Sequence, residues 1–507
     1  MPASNGARSA PEPARTTQTY DDSKRMTAAV PPIPIHIVVL AAGKGTRMKS
    51  ELPKVLHQVG GAPMLAYMLK VGFSLDPASA TVIVGHMADV VRDSLASAWP
   101  TVATVVQEPQ LGTAHAVMQA EPVLQGKSGT VVLLYGDVPL LRPESVQKLV
   151  AHHDEREAVL TVLTARVKDP KGLGRIVREA ATGQVERIVE ERDASEAQRA
   201  ITEINSGIYA FALEPLFDAL RQIATTNAQR EYYLTDLVEI YRRQGRTVEA
   251  LQIDDPDELL GVNSREELAR MNTILRDQRN RDVMASGVTL VDPATTWIGP
   301  DVEIGQDTVI QPNVYLEGRT RIGRNCEIQA GVRIIDSTLA DQVLVQNYTI
   351  IRNSTISSGA ILGPFTHIRP DSEVAAGAHV GNFVELKKTK LGAGSKANHL
   401  AYLGDATIGE GVNIGAGVIT CNYDGVRKHQ TVIEDGAFVG TDSQLVAPVR
   451  IGKDSYVAAG SSITGDVPPG ALAISRGRQV NKDGWAAKKK ALQAAERARL
   501  AEEKSRG

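Results

Sequence analysis

From Ile298 to Ile334 every sixth residue is Ile or Leu. The beat returns from Ile356 to Leu386 through Leu362, Ile368, Val374 and Val380, and again from Ile433 to Ile463 through Val439, Leu445, Ile451 and Val457. A helix needs a period of 3.6 and an exposed strand a period of 2, so neither accounts for six. A hexapeptide β-solenoid does, because each six-residue side turns once and sends one aliphatic side chain inward. Small residues often follow the marked one, as at Ile304-Gly305, Ile322-Gly323 and Ile451-Gly452. The breaks are informative too. Spacings of 5, 6, 6 and 5 run from Ile334 through Leu339, Val345 and Ile351 to Ile356, and recur from Leu386 through Leu391, Ala397 and Leu403 to Ile408. A jump of 13 separates Thr420 from Ile433, across residues 421–430. Insertions in a solenoid become loops on one face, usually the face that binds something.

The front half is patterned differently. Short apolar runs at 35–40, 81–84, 102–106, 131–135, 159–165 and 207–211 predict strands, and amphipathic stretches at 64–72, 88–98, 114–123 and 143–153 predict helices among them. Such alternation predicts a mainly parallel sheet covered on both faces, with ligands at the carboxyl ends of its strands. Leu268, Met271 and Leu275 at helical spacing, opened by the capping-box pair Ser264 and Glu267 and ending near Ser286-Gly287, predict a rod joining two independent halves. The expected division is therefore 1–32, a disordered extension rich in Ala, Pro, Ser, Thr and Arg with Met26 as an alternative start; 33–262, the α/β domain; 263–287, the linker helix; 288–480, the solenoid; and 481–507, a charged tail.

Composition narrows the classes. With 507 residues, a net charge of −3 and a pI near 6.4, the chain has no basic field that points to nucleic acid. No apolar run approaches the ~20 residues of a membrane span. Cys326 and Cys421, the only cysteines, have no metal-ligand spacing and suit a reducing cytoplasm.

The first strand candidate runs into Leu40-Ala41-Ala42-Gly43-Lys44-Gly45-Thr46-Arg47-Met48, followed by Pro53-Lys54. Closely spaced glycines bring backbone N–H groups against phosphates, and Arg47 and Lys54 add cations. The spacing is neither that of a Walker loop nor that of a dinucleotide fingerprint. This stretch resembles the signature of the sugar nucleotidyltransferases (pyrophosphorylases). Joined to a hexapeptide solenoid, it is similar to the bacterial family of bifunctional N-acetylglucosamine-1-phosphate uridyltransferase/glucosamine-1-phosphate acetyltransferases. The resemblance covers residues 33 to 485 and includes Gln107, Leu111-Gly112-Thr113, Tyr135-Gly136-Asp137, Gly174-Arg175-Ile176, Glu190, Asn205-Ser206-Gly207 and Gly261-Val262-Asn263.

The resemblance implies an α/β fold with a Rossmann-like nucleotidyltransferase domain, a linker helix and a left-handed parallel β-helix. It implies two reactions that supply a precursor of peptidoglycan and lipopolysaccharide. In the first half, Ala41, Ala42, Gly43, Gln107, Gly112 and Thr113 are expected to hold the uridine of UTP. Arg47 should meet the triphosphate as a catalytic residue, and Lys54 a phosphate. Tyr135 and Gly136 should line the substrate site, with Gly174, Glu190 and Asn205 on the sugar of N-acetylglucosamine 1-phosphate. Asp137 and Asn263 are the expected Mg²⁺ ligands, a sparse set suited to a hard cation that keeps most of its waters. Ala114 stands where the family usually has Gly, which places an added methyl beside the expected base pocket. In the second half, His399 is expected to be the general base for acetyl transfer from acetyl-CoA to glucosamine 1-phosphate. Asn422 should orient His399 or the amine. Arg369, Lys387, Tyr402, Asn413 and Tyr423 should hold the sugar phosphate, while Ala416, Thr441, Ala459 and Arg476 contact CoA. Thr441 replaces a common Ser and keeps the hydroxyl. The long insertion reaches a neighbouring subunit in this family, which implies a cytoplasmic homotrimer assembled through the β-helix.

Overall fold

The computed structural model describes residues 33–506; the expected extension 1–32 lies outside the described residues. Seven strands form the main path of the front sheet: β1 (Ile35–Ala41), β2 (Ser79–Val84), β3 (Ala103–Val106), β4 (Thr130–Tyr135), β5 (Leu160–Arg166), then, after the hairpin β6 (Arg175–Arg178) and β7 (Val185–Val189), β8 (Glu203–Ala212) and β9 (Val248–Gln252). Their order is β9-β5-β8-β4-β1-β2-β3. All neighbours are parallel except β8, which runs antiparallel to both β4 and β5. Strand parity explains the continuous apolar runs. Val38, Leu133 and Phe211 pack into a core on one face, and Ile37, Val39, Val132 and Leu134 into a core on the other. The expected helix at 114–123 is two pieces, Thr113–Met118 and Glu121–Leu124. Pro122 lacks an N–H and is tolerated in the first turn of the second piece, not in the interior of one longer helix.

The helix Arg265–Ala285 carries the capping box that Ser264 and Glu267 predict. Near its start, Met271 joins Val59, Met64, Leu140 and Val262 in a small core with the front domain. Near its end, Val283 belongs to the solenoid core, and Asn280 Nδ2 donates to Pro293 O (2.8 Å) and Thr296 O (2.9 Å).

Behind it stand three parallel stacks of eleven, ten and nine short strands, in which each strand pairs with the third one on except at the last turn: the parallel β-helix of the six-residue period, left-handed as the resemblance implies. Trp297 pairs with Tyr315 and Tyr315 with Arg333, a coil of 18 residues; Arg333 pairs with Ile350, a coil of 17. The five-residue spacings are thus shortened sides. Each side buries two residues rather than one. The marked aliphatic is joined by a small residue two places earlier, among them Thr308, Thr320, Ser337, Thr349, Thr366 and Thr389. Most of their hydroxyls are paired at the corners, Thr349 Oγ1 being the exception: Thr308 Oγ1 donates to Gly323 O (2.9 Å) and accepts from Cys326 N (3.1 Å). A buried hydroxyl paired in this way carries little desolvation penalty. The insertion 421–430 is a self-braced hairpin in which Tyr423 bridges Lys428 and the Asp424 carboxylate accepts from Val426 N and Arg427 N. Those backbone donors, with His429 beside them, hold the Asp424 carboxyl well below the usual carboxylate range.

Candidate functional sites

In the front sheet the chain passes from β1 to β2 and β3 on one side and then crosses to β4 on the other side of β1, so a crevice opens at the carboxyl ends of β1 and β4 where the strand order reverses. A cleft of about 510 Å³ occupies it, floored by Leu40–Gly43 at the end of β1 and by Tyr135 and Asp137 at the end of β4. Gln107, Gly112 and Thr113 form a wall. Gln107 is buried, and its Nε2 donates to Gly112 O (2.9 Å). Leu111 O accepts from Tyr232 N (2.8 Å), Tyr232 O from Ala114 N (3.0 Å), and Thr113 Oγ1 from Leu234 N (3.1 Å). The 231–234 segment therefore clasps the glycine loop through its backbone. Gly112 has a φ of +113°, and a Cβ there would lie 2.6 Å from Tyr232 O.

At one end of the cleft the Lys54 ammonium lies against the Asp137 carboxylate and donates to Asn263 Oδ1 (3.0 Å). Two hard oxygens thus converge on one positive charge. That donor set fits a divalent cation bound mostly by water, and among the described residues no richer cluster of His, Cys, Asp and Glu exists. A second lobe of about 260 Å³ shares Thr113, Tyr135 and Glu231 with the first and brings Gly174, Glu190 and Asn205 together. A Cβ on Gly174 would touch Asn205 (3.3 Å) and Glu190 Oε1 (3.4 Å). Burial, with Asp193 nearby, pushes the Glu190 carboxyl above its ordinary range. Burial, with Glu190 and Asp137 nearby, likewise raises the Tyr135 hydroxyl. Arg175, 1% exposed, donates to Glu191 Oε2 (2.6 Å) and to Leu173 O, bracing this lobe from behind.

Some expected residues fall elsewhere. Arg47 is exposed on the turn Thr46–Met48, outside the cleft wall, although Gly43 and Lys44 of the same loop line it. Gly136 is buried under the floor: its N–H donates to Leu40 O (2.9 Å), and a Cβ would meet Val55 Cγ1 at 3.0 Å. Ala114 is fully buried in the core, so its methyl does not reach the cleft. Lys44, Val55, Gln110, Ala116 and Glu231 also line the cleft, and Gln229, Tyr233 and Thr235 the second lobe. Motif reading missed the 229–235 wall because much of its hold is through backbone; the Tyr232-Tyr233 pair before an amphipathic helix was the available signal.

On the solenoid the expected residues sort by register. His399, Ala416, Thr441 and Ala459 each stand two places after a marked aliphatic, so they form one column along one corner of successive coils. Asp442 N donates to Ala416 O (2.7 Å), Gly460 N to Thr441 O (2.8 Å) and Arg476 Nη1 to Ala459 O (2.5 Å), which ties the column together. Asn413 lies on the strand before Ala416. Arg369, Lys387, Tyr402 and Asn422 lie on the adjoining side. Lys387 is level with Gly404, and Arg369 Nη1 donates to Glu385 Oε1 (2.8 Å). A Cβ on Gly404 would meet Tyr402 Oη (2.4 Å) and Asn422 Nδ2 (2.7 Å), so these two side chains converge there. Tyr423 is exposed, with Lys428 Nζ 4.1 Å from its ring.

Asn422 is paired differently from the expectation. Its Nδ2 donates to Asp405 Oδ2 (2.5 Å), whereas His399 Nδ1 bonds Asn382 Oδ1 (2.8 Å). At the next corner position Tyr348, Phe365, Phe383 and Leu400 project from four consecutive coils, 57%, 48%, 56% and 60% exposed. The three rings stack with centroids 5.2 and 5.5 Å apart. An exposed apolar ladder of this length marks a contact surface.

These features define a nucleotidyltransferase-type domain carried on a hexapeptide β-helix. Residues 36–257 match the nucleotidyl transferase family, 291–372 the GMPPB C-terminal domain and 430–465 the hexapeptide repeat of succinyl-transferase. The bifunctional protein GlmU of Pelobacter propionicus is 49% identical over 451 residues, which cover 89% of this chain and 98% of that protein. That of Anaeromyxobacter sp. is 51% identical over 462 residues, covering 91% and 94%. That of Brevibacillus brevis is 49% identical over 454 residues, covering 90% and 97%. The chain belongs to the bifunctional GlmU family.

Proposed function

We propose that the protein makes UDP-N-acetylglucosamine in two steps: acetyl transfer from acetyl-CoA to glucosamine 1-phosphate on the solenoid, then uridylyl transfer from UTP to N-acetylglucosamine 1-phosphate in the front cleft. The observation that carries this reading is that motif residues scattered from Ala41 to Asn263 line one two-lobed cleft, with the Lys54, Asp137 and Asn263 group at it. Uridine lies against Ala41–Gly43 and the Gln107–Thr113 wall, and the sugar against Gly174, Glu190 and Asn205. An oxygen of the sugar phosphate attacks the α-phosphorus and pyrophosphate leaves. The chain's own task is to align the two anions and offset their charge, with Lys54 and Arg47 as its cations. Mg²⁺ on Asp137 and Asn263 supplies further neutralising charge when bound.

On the solenoid, Arg369 and Lys387 hold the sugar phosphate beside Tyr402, Asn413 and Tyr423. His399 takes the proton of the attacking amine, and the thioester lies along Ala416, Thr441, Ala459 and Arg476. The backbone at Ala416 faces the developing oxyanion. The open column and the exposed aromatic ladder support a homotrimer in which neighbouring β-helices complete each acetyl-transfer site. No helix among the described residues is long and apolar enough to cross a membrane. Together with the free thiols Cys326 and Cys421 and these substrates, that supports a cytoplasmic location.

The test supplies glucosamine 1-phosphate, acetyl-CoA, UTP and Mg²⁺ and follows CoA and pyrophosphate separately. Release of both, with pyrophosphate dependent on acetyl-CoA, is expected. Pyrophosphate only from added N-acetylglucosamine 1-phosphate, without CoA release, would leave the solenoid a scaffold.

A further inference from the structure

The column that holds His399 has one more member on the preceding coil. Asn382 stands two places after Val380 just as His399 stands two places after Ala397, and the two are paired in register. The strands His379–Asn382 and Lys396–His399 are four residues long, where most strands of the solenoid have two or three. Gly381 allows that extension: a Cβ there would lie 2.0 Å from Asn398 O, so only a bare backbone lets the coils close. Thr366 Oγ1 donates to Gly381 O (2.6 Å) and fixes the same segment from the coil before. The result is the 2.8 Å contact between His399 Nδ1 and Asn382 Oδ1. An amide oxygen only accepts, so the proton of a neutral imidazole bonded in this way is on Nδ1 and the lone pair is on Nε2.

We propose that Asn382 is a positioning residue for acetyl transfer, holding His399 in the Nδ1–H tautomer with Nε2 free to receive a proton. The inference rests on the reading of His399 as the base. In the step it serves, the amine nitrogen bonds to the thioester carbon and its proton passes to Nε2. The C–S bond then breaks, and the departing sulfur takes the proton back from the imidazolium. Nδ1–H donates to Asn382 throughout, so the amide exchanges no proton. Being neutral, it orients the ring without adding charge beside it, unlike a carboxylate in the same role.

The test compares full-length Asn382→Ala, Asn382→Asp and His399→Ala. Uridylyl transfer and thermal melting report on folding, and ¹⁵N-histidine NMR reports the tautomer, with His399→Ala identifying the resonance. Asn382→Ala should lower kcat for acetyl transfer by about 10- to 100-fold, a share of the ~10²–10⁴-fold a general base contributes. KM should stay within about twofold, and the His399 signal should shift towards Nε2–H. Asn382→Asp, which keeps the acceptor, should restore the Nδ1–H signal and much of kcat. Acetyl transfer unchanged in Asn382→Ala while His399→Ala abolishes it would overturn the inference alone. So would a loss carried by KM or shared by uridylyl transfer, or an Asp variant as impaired as Ala. Acetyl transfer surviving His399→Ala would instead overturn the base assignment itself.

Discussion

Replacing Gly112 with alanine tests whether the glycine loop acts through its backbone fit. At φ +113° the new methyl would lie 2.6 Å from Tyr232 O and 2.8 Å from Tyr232 N, where ordinary contact begins at 3.4 Å. Both partners are backbone atoms that also hold Leu111 and Ala114, so no side chain can rotate away. The clasp must open by about 0.8 Å, and a non-glycine residue in that region of φ adds about 1–3 kcal/mol of strain. A stability loss of about 2–4 kcal/mol for the front domain follows. Misplacing a positioning wall by nearly 1 Å costs about 100-fold in rate. Pyrophosphate release from UTP and N-acetylglucosamine 1-phosphate should therefore fall by about that factor. CoA release from acetyl-CoA and glucosamine 1-phosphate, chemistry of the other half, should stay within twofold. Uridylyl transfer within threefold of the parent, at an unchanged melting temperature, would refute the argument that the 111–114 and 232–234 segments are locked together.

Four further perturbations read other parts of the structure. Asp137→Ala leaves Lys54 with Asn263 alone and should cut Mg²⁺-dependent pyrophosphate release by at least about 100-fold while sparing CoA release; unchanged activity would remove Asp137 from the metal assignment. Gly381→Ala drives a methyl into Asn398 O and should abolish acetyl transfer while leaving uridylyl transfer intact, measured by thiol and pyrophosphate assays on one preparation. The double change Phe365→Ser and Phe383→Ser breaks the exposed ladder and should convert a trimer to monomers by light scattering; a persistent trimer would show that the ladder is not the contact. Burial lowers the His153 imidazole to about 4, with His152 adding to it. The unfolded chain then binds more protons between pH 6.5 and about 4, so this contribution is complete above 6.5 and is lost as pH falls through that window. At pH 5 the loss is about 2 kcal/mol, and His153→Phe should flatten the melting temperature of the front domain between pH 7.5 and 5.

The parts legible in advance are those in which one residue type repeats or a loop has a fixed chemistry. The β-helix was legible from its aliphatic beat, and the short coils from the five-residue spacings. The small residue two places before each aliphatic repeats just as faithfully. No single residue type marks it, because Thr, Ser, Ala, Val and Cys all fit that corner. Lys54, Asp137 and Asn263 are legible through the family resemblance, as charged or amide side chains in the stretches Pro53-Lys54, Gly136-Asp137 and Gly261-Val262-Asn263. Tyr232, which clasps Gly112 through its own N–H and carbonyl, is not, since any residue has those groups. The resemblance implies that Asn422 orients His399 or the amine, and its side chain bonds Asp405 rather than His399. The contact with His399 belongs to Asn382, which looks like an ordinary polar residue until the coil length is known. Counting back one 17-residue coil from His399 finds it.

That counting rule explains how a solenoid builds a site from distant parts of a chain. Positions 399, 416, 441 and 459 are separated by 17, 25 and 18 residues, and the 25 contains the inserted hairpin. Stacking places successive members about 4.8 Å apart whatever the sequence gap, so the row from His399 to Ala459 is about 14 Å long. An insertion between two coils therefore adds a projecting loop without disturbing the row. Alanine at 416 and 459 and threonine at 441 keep the row low, a shape that suits an extended thioester arm under the proposed function, with the larger His399 at its end as the proposed base for the amine. The front domain solves the same problem by a different geometry: Ala41, Asp137, Glu190 and Asn263 converge because β1, β4 and the β6–β7 hairpin end around one crevice. Two such unrelated constructions, joined by a helix whose ends belong to separate cores, leave each set of residues free to be altered without moving the other.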